Sequence, residues 1–154
     1  METGETITAH NLRTRAKPPR FYPVWIGLDF ESRAELYDRI DRRVDAMLEQ
    51  GLLDEIRALL SSGVPEKCTA MQAIGYKEFV AALKGECSAE TAANLVRQSS
   101  RRYAKRQLTW FRRNEEMHWI IRGNGMQMPQ ILCKAEKIIR ENGEDKAAER
   151  AVCK

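Results

Sequence analysis

The sequence predicts a mainly α-helical fold with two short strands, and two observations lead to this prediction. Apolar residues recur at steps of three and four between residues 32 and 60, which is the period of helices with one buried face. Two segments rich in β-branched and aromatic residues, FYPVWIGLDF at 21–30 and HWIIR at 118–122, instead favour strands. We divide the chain into a polar arm or connector at 1–20, a helical region at 21–122, and a turn, amphipathic helix and charged tail at 123–154.

The first elements follow from capping and periodicity. Residues 1–20 show no apolar period, so no packed element is predicted there. Pro23 places the beginning of the first strand at an edge or entry point, because proline cannot donate to a sheet. Ser32 and Glu35 have the spacing of a capping box, which predicts a helix from Ser32 up to Gly51.

Glycine positions mark the ends of the next two helices. A helix over residues 53–60 is predicted to end at Gly63, because glycine adopts the left-handed conformation that closes many helices. A helix over residues 76–84 is closed by Gly85 in the same way. The segment between these two helices has no apolar period and is predicted to be a loop.

The longest predicted helix follows the cap residue Ser88 and continues to about Asn114, and a last amphipathic helix covers residues 129–141. One narrow arc of the long helix is apolar and is predicted to be its buried face. The residues of this arc are Ala92, Val96, Tyr103 and Trp110.

The positive charge of the chain is concentrated in one segment. The chain has 26 basic and 22 acidic residues, and residues 97–113 contain seven Lys or Arg without any Asp or Glu. The rest of the chain is therefore slightly acidic. A localised basic patch favours a nucleic acid or another phosphate partner. The alternative is an ordinary solvated helix face.

These seven cations fall on two faces of the long helix, and neither face contains an acid. Like charges at i and i+4 are destabilising, so acidic residues usually separate them on a solvated helix. Their absence predicts an external anion, and guanidinium groups suit phosphate. The first face holds Arg97, Arg101, Lys105 and Arg112, and the second holds Arg102, Arg106 and Arg113.

The loop TAMQAIGYKEF before the fourth predicted helix has little side-chain bulk around Gly75. Gly75 is free to take a positive φ, so the backbone could approach a partner closely while Tyr76 and Lys77 project a ring and a cation. The alternative is that Gly75 only sets the turn into the next helix and Tyr76 fills a groove.

Several kinds of chemistry have no support in the sequence. There is no phosphate-binding G-x-x-x-x-G-K-[ST] motif and no paired-carboxylate motif, and His10 and His118 have no triad or metal partners nearby in the sequence. The four cysteines have neither zinc-ligand spacing nor the spacing of a disulfide scaffold. Without a signal pattern or a membrane-length apolar run, we expect a cytoplasmic protein that does not enter the membrane.

Three segments occur in a fixed order in this chain: AMQAIGYKEF, the L-K-G-E-C-S turn and SRRYAKRQLTWFR. Together they resemble the C-terminal half of the tRNA dimethylallyltransferase family. The resemblance covers about residues 2–121. It implies transfer of a dimethylallyl group from dimethylallyl diphosphate to N6 of the adenosine 3′ of the anticodon. It also implies that this is the helical C-terminal part of a P-loop kinase-like α/β enzyme.

In that family the phosphate loop, the Mg²⁺ ion and the aspartate that acts as general base belong to the N-terminal half. The resemblance therefore implies a fragment that is inactive alone, with no Mg²⁺ site of its own. It also implies that the two strands belong to the missing core sheet and expose unpaired edges in this chain.

The resemblance further assigns residues to ligands. It places the anticodon-arm contacts on Gln72, Ala73, Ile74, Gly75, Tyr76 and Lys77, and on Ala104, Lys105, Arg106, Gln107, Leu108, Thr109, Trp110 and Phe111. We add Arg97, Arg101 and Arg112 from the first basic face. Arg43, in DRRVDAML, matches an arginine near the diphosphate.

Three functional hypotheses follow. The first is the tRNA-binding part of a tRNA dimethylallyltransferase, with the anticodon stem-loop as its partner. The second is a stand-alone helical RNA-binding module without catalysis. The third is a helical interaction protein whose basic face meets an acidic partner.

Overall fold

A computed structural model describes residues 6–15, 21, 23–123 and 125–152 and confirms a mainly helical chain with two short strands. Parts of the predicted arm, 1–5 and 16–20, lie outside the described residues, as does Asn124 of the predicted turn. The helices are α1 (Ile7–Arg15), α2 (Arg33–Glu49), α3 (Leu52–Ser61), α4 (Tyr76–Leu83), α5 (Ala89–Phe111) and α6 (Met128–Val152). The strands are β1 (Trp25–Phe30) and β2 (Met117–Arg122).

The two predicted N-caps are present. The Ser32 hydroxyl oxygen accepts from the backbone N–H of Ala34 at 3.2 Å, two residues on instead of the predicted three. Ser88 accepts from the N–H of Thr91 at 3.1 Å and begins α5. Each cap satisfies a backbone donor that has no partner within the first turn of its helix.

The predicted glycine closures of α3 and α4 are confirmed. Gly63 and Gly85 have φ angles of 87° and 78°, and each donates its N–H back into the last turn of its helix. Both ends are Schellman motifs, since the residue after each glycine also donates to a carbonyl five positions earlier. After these ends the chain reverses, and α4 packs against both α3 and α5.

The hydrophobic core lies among α2, α3, α4 and α5. Phe79 and Ile56 are fully buried, and burial of such side chains stabilises the fold by about 1.5–3 kcal/mol each. Met71, from a 3₁₀ turn at Ala70–Gln72, is also buried. The buried residues of this cluster are Val44, Leu52, Ile56, Met71, Phe79, Val80, Ala92, Ala93 and Val96.

The two strands pair with each other in parallel, with Trp25 opposite Met117 and Phe30 opposite Arg122. Gly27 lies directly under the ring of Trp119, and a Cβ at Gly27 would be 2.6 Å from that ring. Both strands are thus paired along one side, and the described part of the chain contains no third strand. Helix α6 packs against β2, and Ile120 of β2 and Ile131 of α6 are both buried.

Two helices differ from the prediction. Residues 7–15 form α1, although the arm was predicted to have no element, and Ile7 and Leu12 of this helix are exposed. Their apolar side chains do not share a face, so the period that reveals a packed helix is missing. The helix predicted over residues 129–141 extends as α6 to Val152, through a charged and alanine-rich segment that has no apolar stripe.

None of the described helices combines the length and apolarity needed to cross a membrane. The three described cysteines, Cys68, Cys87 and Cys133, are free thiols.

Candidate nucleic-acid interface

The loop before α4 is held from both ends. Met71 anchors the 3₁₀ turn in the core, and the N–H of Gly75 donates to the Glu78 carboxylate at 2.9 Å. Gly75 has a φ of 102°, in the region that favours glycine. It therefore sets the turn into α4, as the alternative interpretation of this glycine expected. The backbone that carries Gln72 and Ala73 is fixed in position, and both residues are exposed.

Tyr76 is half-buried against the core, as expected if it fills a groove, and its hydroxyl donates to Glu55 of α3 at 2.5 Å. This hydrogen bond raises the pKa of Tyr76 above its usual value, and desolvation and the negative charge of Glu55 add to the effect. Lys77 is exposed, 3.9 Å from the Glu78 carboxylate. Of the predicted ring and cation, only the cation is exposed, while the ring of Tyr76 is half-buried.

Two arginines of α5 form a ladder of ion pairs with α2. Arg97 pairs with Asp45, and Arg101 pairs through Nε and Nη2 with both carboxylate oxygens of Asp41. The prediction that these arginines lack an acidic partner is wrong, because Asp41 and Asp45 of α2 lie outside the segment 97–113 but contact it in the fold. The ladder attaches α5 to α2 along one face of each helix.

Arg97 makes further contacts along its own helix. Its guanidinium donates to Glu90 at 3.2 Å and to Asn94 at 2.7 Å. The hydrogen bond to Asp45, followed by that to Glu90, raises the pKa of Arg97 above its usual value against the opposing effect of burial. Its side chain is only 18% exposed, so little of it faces solvent.

Arg112 also has an acid partner, at the opposite end of α5. It donates to the buried Asp29 of β1 at 2.8 Å, and Arg33 lies 3.6 Å from the same carboxylate. Asp29 also accepts from the N–H of Phe30 at 2.8 Å. Sequence reasoning missed Asp29, although a lone acid inside a strand of apolar residues was a visible signal.

Four cations of the basic segment have no acidic partner among the side chains that the structure describes. All four are exposed, and the guanidinium of Arg106 lies 5.7 Å from the centre of the Tyr103 ring. These four residues are Arg102, Lys105, Arg106 and Arg113. For them, the expectation that an external anion balances the charge stays a prediction.

The predicted buried face of α5 is correct only in the first half of the helix. Ala92 and Val96 are buried, but Tyr103 is 48% and Trp110 63% exposed, so their assignment to the core is wrong. The core contacts of α5 end near Val96, and the helical period continues beyond the part of the helix that is covered. Trp110 packs edge-on against Phe111, with ring centres 4.9 Å apart.

A groove of about 780 Å³ brings the main predicted contacts together. Arg43 of α2 lies on one side of it, and exposed Arg43, not the adjacent Arg42, faces this space. The loop contributes Gln72, Ala73 and Ile74, and α5 contributes Tyr103, Ala104, Arg106 and Gln107. Three segments distant in sequence thus share one concave surface.

Not all of the predicted residues belong to this groove. Leu108 and Phe111 line a second cavity of about 410 Å³ between α5 and the two strands. Thr109 donates its hydroxyl to the carbonyl of Lys105 at 2.9 Å, within α5. Ala104 and Gln107 line both cavities, so the two cavities adjoin along α5.

The side chains that the structure describes contain no cluster of three or more His, Cys, Asp or Glu residues suited to a metal ion. The family resemblance places the Mg²⁺ ion in the N-terminal half of the enzyme, and the expectation that this chain has no Mg²⁺ site of its own stays a prediction.

Comparison with protein families matches residues 1–114 to the IPP transferase family. The chain is 44% identical over 118 residues to the tRNA dimethylallyltransferase of Acetivibrio thermocellus and 48% identical over 119 residues to that of Alkaliphilus oremlandii. Each alignment covers 77% of this chain but 37% of the relative. The chain therefore spans well under half the length of these curated relatives.

Solved structures agree with these relatives. The full-length tRNA isopentenylpyrophosphate transferase of Bacillus halodurans superposes with a TM-score of 0.79 at 37% identity, over 90% of this chain and 45% of that one. The tRNA delta(2)-isopentenylpyrophosphate transferase of Staphylococcus epidermidis gives 0.73 at 36% identity, over 91% and 45%.

Proposed function

The chain belongs to the IPP transferase family, and we propose that it provides the tRNA-binding surface of a tRNA dimethylallyltransferase. The observation that supports this most directly is the groove between α2, the loop at 72–74 and α5. Both segments that the family resemblance assigns to the anticodon arm reach this groove. The exposed cations of α5 continue from it along the helix.

The proposed partner is the anticodon stem-loop of a tRNA. Its phosphates meet exposed cations on α5, and its loop bases meet the exposed rings of Tyr103 and Trp110. Single-stranded RNA loops are recognised in this way, because unstacked bases can stack on aromatic side chains. The proposed location of the protein is the cytoplasm.

The proposed reaction is transfer of a dimethylallyl group from dimethylallyl diphosphate to N6 of the adenosine 3′ of the anticodon. The diphosphate leaves with increasing negative charge, which a cation can stabilise. Arg43 is exposed, has no acidic partner among the described side chains, and lines the groove next to the RNA-binding segments. Its proposed role is contact with the diphosphate, beside the base that is taken out of its stack.

Turnover by this chain alone is not expected, because the phosphate-loop motif is absent from the sequence. The test is an assay of dimethylallyl transfer to tRNA with the purified chain, with and without a separately produced P-loop half of a relative. Product from the chain alone contradicts the proposal. A stand-alone RNA-binding module, the alternative, gives no product in either assay.

Binding is tested by fluorescence anisotropy with an anticodon stem-loop that carries adenosine 3′ of the anticodon and with a scrambled hairpin, each over a series of salt concentrations. Tighter and strongly salt-dependent binding to the stem-loop supports the proposal. Weak salt dependence without preference for RNA favours the third hypothesis, an acidic protein partner.

A further inference from the structure

The basic segment of α5 is divided into two groups by the ion pairs. In the first group, Arg97, Arg101 and Arg112 each contact a carboxylate from a distant part of the chain. Arg101 uses two nitrogens on the two oxygens of Asp41, which is the paired geometry that guanidinium also uses on phosphate. An RNA phosphate would therefore have to displace an acid that is already in place.

The second group consists of the four cations without an acidic partner among the described side chains: Arg102, Lys105, Arg106 and Arg113. When the period of α5 is continued through the turn at 112–113, their positions fall within about 100° of the helix circumference, and the row from Arg102 to Arg113 is roughly 16 Å long. The paired arginines lie on one side of this row. The exposed rings of Tyr103 and Trp110 lie on its other side.

The arrangement has the two components of a single-strand RNA site next to each other. Exposed cations follow the phosphate backbone, while exposed rings provide surfaces on which bases can stack. Arg106 joins the two, since it lies over the ring of Tyr103 and also lines the groove. The paired arginines face the acids of α2 and β1 and contribute no free charge to the row.

We infer that Arg102, Lys105 and Arg106 of α5 contact RNA phosphates, together with Arg113 in the turn that follows α5, and that Arg97, Arg101 and Arg112 instead hold this helix in position. The inference rests on the proposed function, because the phosphate source is taken to be RNA. It reduces the set of cations assigned to RNA binding, since three of the seven cations of the segment make no RNA contact.

The test compares two neighbouring residues of α5. In one variant, Asp41→Asn and Arg101→Gln together remove an ion pair without changing the net charge or leaving a charge unpaired. In the other, Arg102→Gln removes an exposed cation. Binding of the anticodon stem-loop is measured as log Kd against log salt concentration, and thermal unfolding is followed for each protein.

The expected results are opposite for the two variants. Arg102→Gln lowers the salt slope by about one and leaves the melting temperature unchanged. The double variant keeps the wild-type slope but melts at a temperature lower by a few degrees. If the double variant does not fold, Asp45→Asn with Arg97→Gln replaces it and carries the same expectation.

The inference is overturned if the double variant loses as much salt slope as Arg102→Gln, or if Arg102→Gln binds like the wild type. Both results presuppose binding by the wild type, so they leave the proposed function intact. Absence of salt-dependent binding by the wild type overturns the proposed function and the inference together.

Discussion

The carboxylate of Asp29 lies 2.8 Å from the guanidinium of Arg112, although the two residues are 83 positions apart in the chain. Asp29 is 3% exposed and Arg112 follows the last residue of α5, so this contact fixes the end of the basic helix to β1. A buried carboxylate that loses its charge loses hydrogen bonds that are stronger than neutral ones.

We expect Asp29→Asn to lower the free energy of unfolding by about 1–3 kcal/mol, since both arginine partners lose a charged acceptor. Urea denaturation measures this change. Asp38→Asn is the matched control, because Asp38 pairs with Arg42 at the surface, where both side chains are more than 60% exposed. That variant should change stability by less than about 1 kcal/mol, and an equal loss in both variants would contradict the prediction.

Replacement of Gly75 tests the strained turn of the loop. Gly75→Ala places a Cβ on a residue with a φ of 102°, so we expect a loss of about 1–2 kcal/mol of stability. The same change should weaken binding of the anticodon stem-loop, because the loop at 72–74 is displaced.

Gly63→Ala is the control for this variant. Its φ is 87° and no atom outside its neighbourhood lies within 4 Å of an added Cβ, so strain is again the only cost. Gly63→Ala should lower stability while RNA affinity stays at the wild-type value. Equal RNA affinity of the two variants would contradict the prediction, because it would show that RNA recognition does not depend on the turn at Gly75.

Trp110 is exposed and should matter for binding more than for stability. We expect Trp110→Ala to weaken binding of the stem-loop by about 1–3 kcal/mol, the value of one base stacked on an aromatic ring. Its melting temperature should stay within a few degrees of the wild type. Anisotropy titration and thermal unfolding of the same preparation distinguish this result from a packing role, which would lower the melting temperature and leave affinity unchanged.

Tyr76 provides a prediction of pH dependence. The hydrogen bond to Glu55 raises the pKa of Tyr76 in the folded state, so the stability it contributes is complete below the unfolded pKa of about 10. This contribution is lost as pH rises through the folded pKa. Ultraviolet difference titration of the wild type against Tyr76→Phe isolates this tyrosine, and Glu55→Gln should return its pKa towards the usual value.

The local features of the fold were predictable from the sequence. Ser32, Ser88, Gly63 and Gly85 act within one or two turns of their own helices, so their roles follow from residue type and spacing. The positions of the two strands were predictable for the same reason. Their parallel pairing was not, since period and composition contain no information about which strand lies next to which.

The tertiary features of the site were not predictable in the same way. The acid partners of Arg101 and Arg112 come from α2 and β1, so the segment RRYAKRQLTWFRR contains no sign of them. Trp110 has the helical phase of a core residue but lies beyond the covered half of α5. The loop at 72–77 and the second basic face were identified, and their contact with RNA stays a prediction.

The parallel pairing of β1 with β2 has a consequence for the order of folding. The strands are neighbours in space, but the whole helical region α2–α5 separates them in the chain. Contacts between consecutive helices close short loops and form quickly, whereas pairing these strands requires closure of a long loop. We therefore expect the helices to assemble first and the sheet to close last, followed by the docking of α6 on β2.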